Sequence, residues 1–118
     1  MKKYLAVFIG SETSVNAANW NTMDEKTRKE REAQGGAAWM KWAMDHQKSI
    51  VEMGAPLGET KQVNRGGISD ITNSMSAFTI VQAESQDAAA KLFINHPHFT
   101  IFPGDSVEIM ECLPIPKF

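Results

Sequence analysis

The six positions from Tyr4 to Ile9 are all apolar, with Tyr4, Ala6 and Phe8 on one side of an extended chain and Leu5, Val7 and Ile9 on the other. A strand apolar on both sides is buried on both sides. Two helices can cover only one face of a sheet in so short a chain, so a second sheet from another copy of the protein is expected on the opposite face. After Gly10 the sequence turns to Ser, Thr and Asn as far as Asn21, which reads as a loop anchored by Trp20.

Thr22-Met23-Asp24-Glu25 has the spacing of a capping box, in which hydroxyl and carboxylate satisfy reciprocal backbone donors at a helix start. Residues 24–34 are polar all round, and Asp24 with Arg28, Glu25 with Lys29, Lys26 with Glu30 and Arg28 with Glu32 stand four apart. Each such pair contributes a few tenths of a kcal/mol and marks a solvated segment. Gly35-Gly36 should break or bend this helix before a second one begins.

That second helix is predicted over 36–53, about 27 Å at roughly 1.5 Å per residue, with Gly54 after its last turn and Pro56 forbidding continuation. It carries two apolar stripes. Met40, Ala43, Met44, Ile50 and Val51 lie near one, and Trp39, Trp42, His46 and Met53 near another. Both stripes can be core. Alternatively the first packs on a sheet while Trp39, Trp42 and His46 form the apolar wall and polar group of a ligand cavity.

Past Pro56 the pattern predicts an extended segment over 57–64, a turn at Asn64-Arg65-Gly66-Gly67 and a short return strand over 68–71. Residues 75–83 read as a strand of β-branched, aromatic and small side chains. Ser85 caps a helix with Ala89, Leu92 and Phe93 facing inward, and Pro97 drives His96 out of helical geometry. A last strand covers 106–113. The order of elements is that of a ferredoxin-like βαββαβ fold of the α+β class.

At 118 residues one core is all the chain can fill, so 1–118 is read as a single domain. The net charge of −2, with basic residues interleaved among acids, argues against nucleic acid or an anionic membrane as the partner. Apolar runs are too short to span a bilayer, and the one cysteine, Cys112, cannot form an internal disulfide. A cytoplasmic protein is expected, with Cys112 as a small buried strand residue.

The opening strand Lys3-Tyr4-Leu5-Ala6-Val7, the Trp39-x-x-Trp42 helix running to Gly54-Ala55-Pro56-Leu57-Gly58, the strand Ala77-Phe78-Thr79-Ile80-Val81-Gln82-Ala83, the run Ala88-Ala89-Ala90-Lys91 and His96-Pro97-His98 followed by Val107-Glu108-Ile109 together resemble the YCII-related (DGPF-domain) family of the dimeric α+β barrel superfamily. The resemblance covers nearly the whole chain. It implies a homodimer whose two four-stranded sheets meet face to face, and a cleft that in some members uses a His and Asp pair, one member resembling a dehydrochlorinase of a chlorinated aromatic. The family's Asp-Gly-Pro-Phe segment is represented here by Asp70, followed by Ile71-Thr72-Asn73, and no histidine stands at Ala38 or Trp39, where one branch of the family carries it.

The candidate chemistry rests on His96, His98 and Asp70 as catalytic residues, with Trp39, Trp42 and His46 as the binding wall. A histidine beside a carboxylate can move a proton near neutral pH. Asp105 and Glu108 are further carboxylates within reach of the histidine loop. The His96-x-His98 spacing matches no strong metal motif, so neither a metal nor a redox cofactor is expected. Two functions stay open: a lyase-like or isomerase-like enzyme on a small planar substrate, and a non-catalytic ligand-binding or accessory module.

Overall fold

The computed structural model describes residues 1–11 and 19–117, so most of the expected loop before Asn21 lies outside the described residues. Strand β1 (Lys2–Ile9) is followed by a 3-10 turn at Trp20–Thr22, helix α1 (Glu25–Asp45), β2 (Ile50–Pro56), β3 (Thr60–Asn64), β4 (Gly67–Ile71), β5 (Met75–Ala83), helices α2 (Gln86–Lys91) and α3 (Pro97–Thr100), and β6 (Ser106–Glu111). Four strands form one sheet in the order β2-β5-β1-β6, and β3 and β4 pair as a separate hairpin. Every pairing is antiparallel. With the hairpin set aside, this is the ferredoxin-like βαββαβ arrangement, the hairpin being an insertion between its second and third strands.

The core forms on one face of the sheet. Tyr4, Ala6 and Phe8 of β1 are buried with Val81 and Ala83 of β5 against Trp42 and Ala43 of α1 and Ala89 and Phe93 behind them. Burying each of the large side chains contributes about 1.5–3 kcal/mol. The other face of β1 and β5 presents Leu5, Val7, Phe78 and Ile80, with Met110 of β6 beside Leu5. No helix of the described residues covers this second face, and none is long and apolar enough to cross a membrane.

Four expectations are corrected. First, α1 runs without a break from Glu25 through Gly35-Gly36. Gly35 is buried, and a Cβ there would overlap the Phe102 ring, whereas nothing lies near Gly36. Close approach of an aromatic ring therefore accounts for one glycine of the pair.

Second, α1 stops at Asp45, and 50–56 is a strand. The N–H of His46 and its Nδ1–H both donate to the Trp42 carbonyl, closing the last turn, and Ile50-Val51 then favour pairing with β5. Gly54 is consequently no helix cap: it sits at φ 73 in an irregular stretch of β2, where a Cβ would strike the Phe78 carbonyl. With the helix shortened, Met40 and Met44 are exposed rather than packed on the sheet, and Trp42 and Ala43 take that place.

Third, Asp24 is the helix cap and no side-chain bond closes it, because the Thr22 hydroxyl donates instead to the Asn19 carbonyl. Fourth, Cys112 is exposed, one residue beyond the end of β6.

The expected surface pairing of Glu25 with Lys29 is present at 2.9 Å, and the Ser85 hydroxyl accepts the Ala88 N–H as a cap. Gly36→Ala should raise stability by about 0.5–1 kcal/mol through helix propensity. Gly35→Ala, with the same propensity gain but a methyl driven into Phe102, should melt below Gly36→Ala. Thermal unfolding of the two variants checks both signs.

Candidate functional site

Beside the core, α1 and the β2–β5 edge of the sheet enclose a cavity of about 550 Å3. Trp39 and Met40 of α1, Met53 of β2, Ala77 of β5 and Phe102 supply its apolar walls. Its polar side chains are Ser76, Thr79 and His98, and no Lys, Arg, Asp or Glu is among its described lining residues.

The chain enters α3 through residues whose geometry the sequence sets closely. Asn95 adopts φ 59, a left-handed conformation that asparagine tolerates, and ends the turn after α2. Pro97 occupies the first helical position and holds His96 extended as the cap. The cap is the imidazole itself, His96 Nδ1 accepting the His98 N–H at 3.0 Å.

Two residues apart, the histidines go to different places. His96 is fully buried between aromatic rings, with ring centroids 4.4 Å from Trp39, 4.6 Å from Trp42 and 5.0 Å from Phe8. Since Nδ1 accepts, the neutral ring carries its proton on Nε2, and Nε2 has no hydrogen-bond partner. Burial first, then the neighbouring His98 and His46, push the His96 pKa down to about 3, so this ring stays neutral at physiological pH.

His98 lines the cavity. A carbonyl can only accept, so the 2.7 Å contact with the Ile9 oxygen makes His98 Nε2 a donor and leaves the lone pair of the neutral ring on Nδ1. The Ile9 oxygen also accepts the Asp105 N–H at 2.8 Å. Gly104 donates its N–H to the His98 carbonyl and lies so close that a Cβ would strike the ring. The ring is held on three sides. Burial lowers its pKa below the ordinary 6.5, opposed by the Ile9 backbone, the Asp105 carboxylate and the Ser106 backbone.

The remaining candidates lie apart. Trp42 is core: its Nε1–H donates to the Leu92 carbonyl at 2.7 Å, and its ring stacks on His46. Of the three expected wall residues, Trp39 lines the cavity and Trp42 and His46 do not. Asp70 lies on the exposed hairpin, paired with Lys61, and is not brought to the histidines. Glu108 is exposed on β6. Among the described residues no three His, Cys, Asp or Glu side chains converge on one point. Phe102, Phe78, Ser76 and Thr79 were not singled out from the sequence. Phe78 and Thr79 sit in the strongly predicted β5, but only the irregular course of β2 around Gly54 shows which part of that strand faces a cavity.

No family model matches the chain, and no curated protein matches it. Among solved structures it is similar to the 5-chloro-2-hydroxyhydroquinone dehydrochlorinase of Burkholderia phenoliruptrix AC1100 in complex with 2,5-dihydroxybenzoquinone. The two are 17% identical, and the match has a TM-score of 0.51 and covers 92% of this chain and 90% of that one. The likeness shows the fold alone.

The buried His96 has a consequence for acid stability. As pH falls below 6.5 the unfolded chain takes up a proton that the folded ring refuses until about 3. Stability should fall across that window with a slope on the order of 1.4 kcal/mol per pH unit, and level off below it. His96→Asn, whose side-chain oxygen can cap α3 without titrating, should lose this component of the slope. Urea unfolding of both proteins between pH 3.5 and 7 checks it.

Proposed function

We propose that this protein is a YCII-related homodimer that binds a small planar molecule in the cavity lined by Trp39 and Phe102, and that it acts as a cofactor-independent lyase or isomerase with His98 as the proton-transfer group. One observation carries the reading. A neutral imidazole, locked on the Ile9 carbonyl, stands in the wall of an otherwise apolar cavity of about 550 Å3. Cavities of this size and character suit small organic ligands. Among the described lining residues, which include no Lys, Arg, Asp or Glu, the imidazole is the one titratable group that can take a proton from a bound molecule.

The fold neighbour supports the reaction class. Dehydrochlorination removes a proton and a chloride from a ring, and the proton needs a base. For this chain the base is His98, and Asp105 stabilises the imidazolium once formed, as its effect on the His98 pKa indicates. A second reading, a non-catalytic binding module, is favoured by the absence of any carboxylate from the described cavity lining. Turnover separates the two.

Planar phenols and hydroxyquinols titrated into the protein should shift the NMR resonances of the Trp39 indole and the His98 ring. With a substrate found in that panel, His98→Gln should lower turnover by about 10²- to 10⁴-fold while leaving binding largely intact. Because the His98 pKa lies below 6.5, the acid limb of the rate profile should fall at a pH lower than that value. Binding without turnover in the wild type would leave the binding-module reading.

The homodimer rests on the uncovered sheet face. Leu5, Val7, Phe78 and Ile80 form an apolar surface on the face opposite the helices, with Val7 buried and the other three half-buried in a lone protomer. Sedimentation should give twice the 13.1 kDa chain mass, and Ile80→Lys, which places a charge in the centre of that face, should give a monomer.

A further inference from the structure

The hydrogens of the cavity's polar side chains are already committed to backbone carbonyls. The Ser76 hydroxyl donates to Phe8, the Thr79 hydroxyl donates to Met53, each at 2.9 Å, and His98 Nε2–H donates to Ile9. Each of the three therefore turns only lone pairs toward a ligand. Against these three acceptors the described side-chain lining offers one neutral donor type, the indole N–H of Trp39, and no cation.

We infer that the cavity selects an uncharged ring bearing a hydroxyl group, a phenol in its neutral form, and discriminates against carboxylates and against ring ethers of the same shape. This rests on the reading of the cavity as the ligand site and narrows it to one chemical class. A phenolic O–H supplies the hydrogen that Ser76, Thr79 and the His98 Nδ1 lack, and its oxygen can accept from Trp39. A carboxylate would enter an apolar space with no Lys or Arg among the described lining residues to compensate its lost hydration. A methyl ether keeps the ring and the oxygen but has no hydrogen to donate, so the hydrogen bond that the phenol makes to one of these acceptors is lost. The selected proton is also the one that a base at His98 would take.

The test uses three ligands of closely matched ring shape: 2-naphthol, 2-methoxynaphthalene and 2-naphthoate. Each is titrated into the wild-type protein at pH 7 by calorimetry, and the site is identified by NMR shifts at the Trp39 indole and the His98 ring. The naphthol should bind about 3- to 10-fold more tightly than its ether, the value of one neutral hydrogen bond, and the carboxylate should bind more weakly than both. Trp39→Ala should abolish the naphthol signal. Ether or carboxylate binding as tightly as the naphthol, with the same residues shifted, overturns the inference alone. No binding of any of the three, or binding that leaves Trp39 and His98 unshifted, overturns it together with the reading of the cavity as the site.

Discussion

The central strand β1 carries apolar residues on both faces, and the chain's own helices pack on one of them. On one face Tyr4, Ala6 and Phe8 meet α1 and α2, so that side is closed within the chain. On the other, Leu5 and Val7 share an apolar face with Ile80 and Phe78. Phe8 ties the helix-covered face to the site: its ring lies 4.9 Å from Trp39, 5.0 Å from His96 and 5.2 Å from His98. The cavity wall and the histidine loop are thus packed on one core residue.

The end of the same strand organises the polar part of the site. Between Phe8 and Ile9 the register against β5 shifts. Around that irregularity the Phe8 oxygen accepts the Ser76 hydroxyl, and the Ile9 oxygen accepts both His98 Nε2–H and the Asp105 N–H. Buried carbonyls require donors. Here side chains supply them where the ladder is interrupted, and this fixes the rotamers of the groups that line the cavity. The chemistry of the site is therefore a by-product of satisfying a sheet end.

Much of the sheet was legible in the sequence. The strand over 75–83, the turn at Asn64–Gly67, the Ser85 cap and the opening strand β1 were read from alternation, turn residues and apolar runs. The continuity and the end of helix α1 were not, because Gly35 within it and the course of the chain after Asp45 are decided by partners distant in sequence. Gly35 answers to Phe102 and Gly54 to Phe78, and neither contact leaves a local signal. The placement of Ile50-Val51 on a helix failed for a related reason. A helical stripe and an edge strand both present apolar residues there, and the bond from Gln82 N–H to the Ser49 carbonyl settles the choice from β5. The hairpin was legible as a hairpin, but its separation from the main sheet, which takes Asp70 away from the histidines, was not.

The two histidines show how far spacing alone can mislead. A pair separated by one proline looks like a functional doublet, yet the helix start assigns them opposite environments. At the cap, His96 folds its ring back toward the helix N-terminus to accept a backbone N–H, which carries it into the aromatic core. At the second helical position, His98 projects to the end of β1 and the cavity. The cap works only while His96 Nδ1 is unprotonated, and the buried, charge-poor surroundings that keep it so also lower the pKa of His98. One desolvated environment thus does two things. It preserves the backbone bond that starts α3, and it keeps the cavity imidazole in the neutral form whose lone pair can receive a proton.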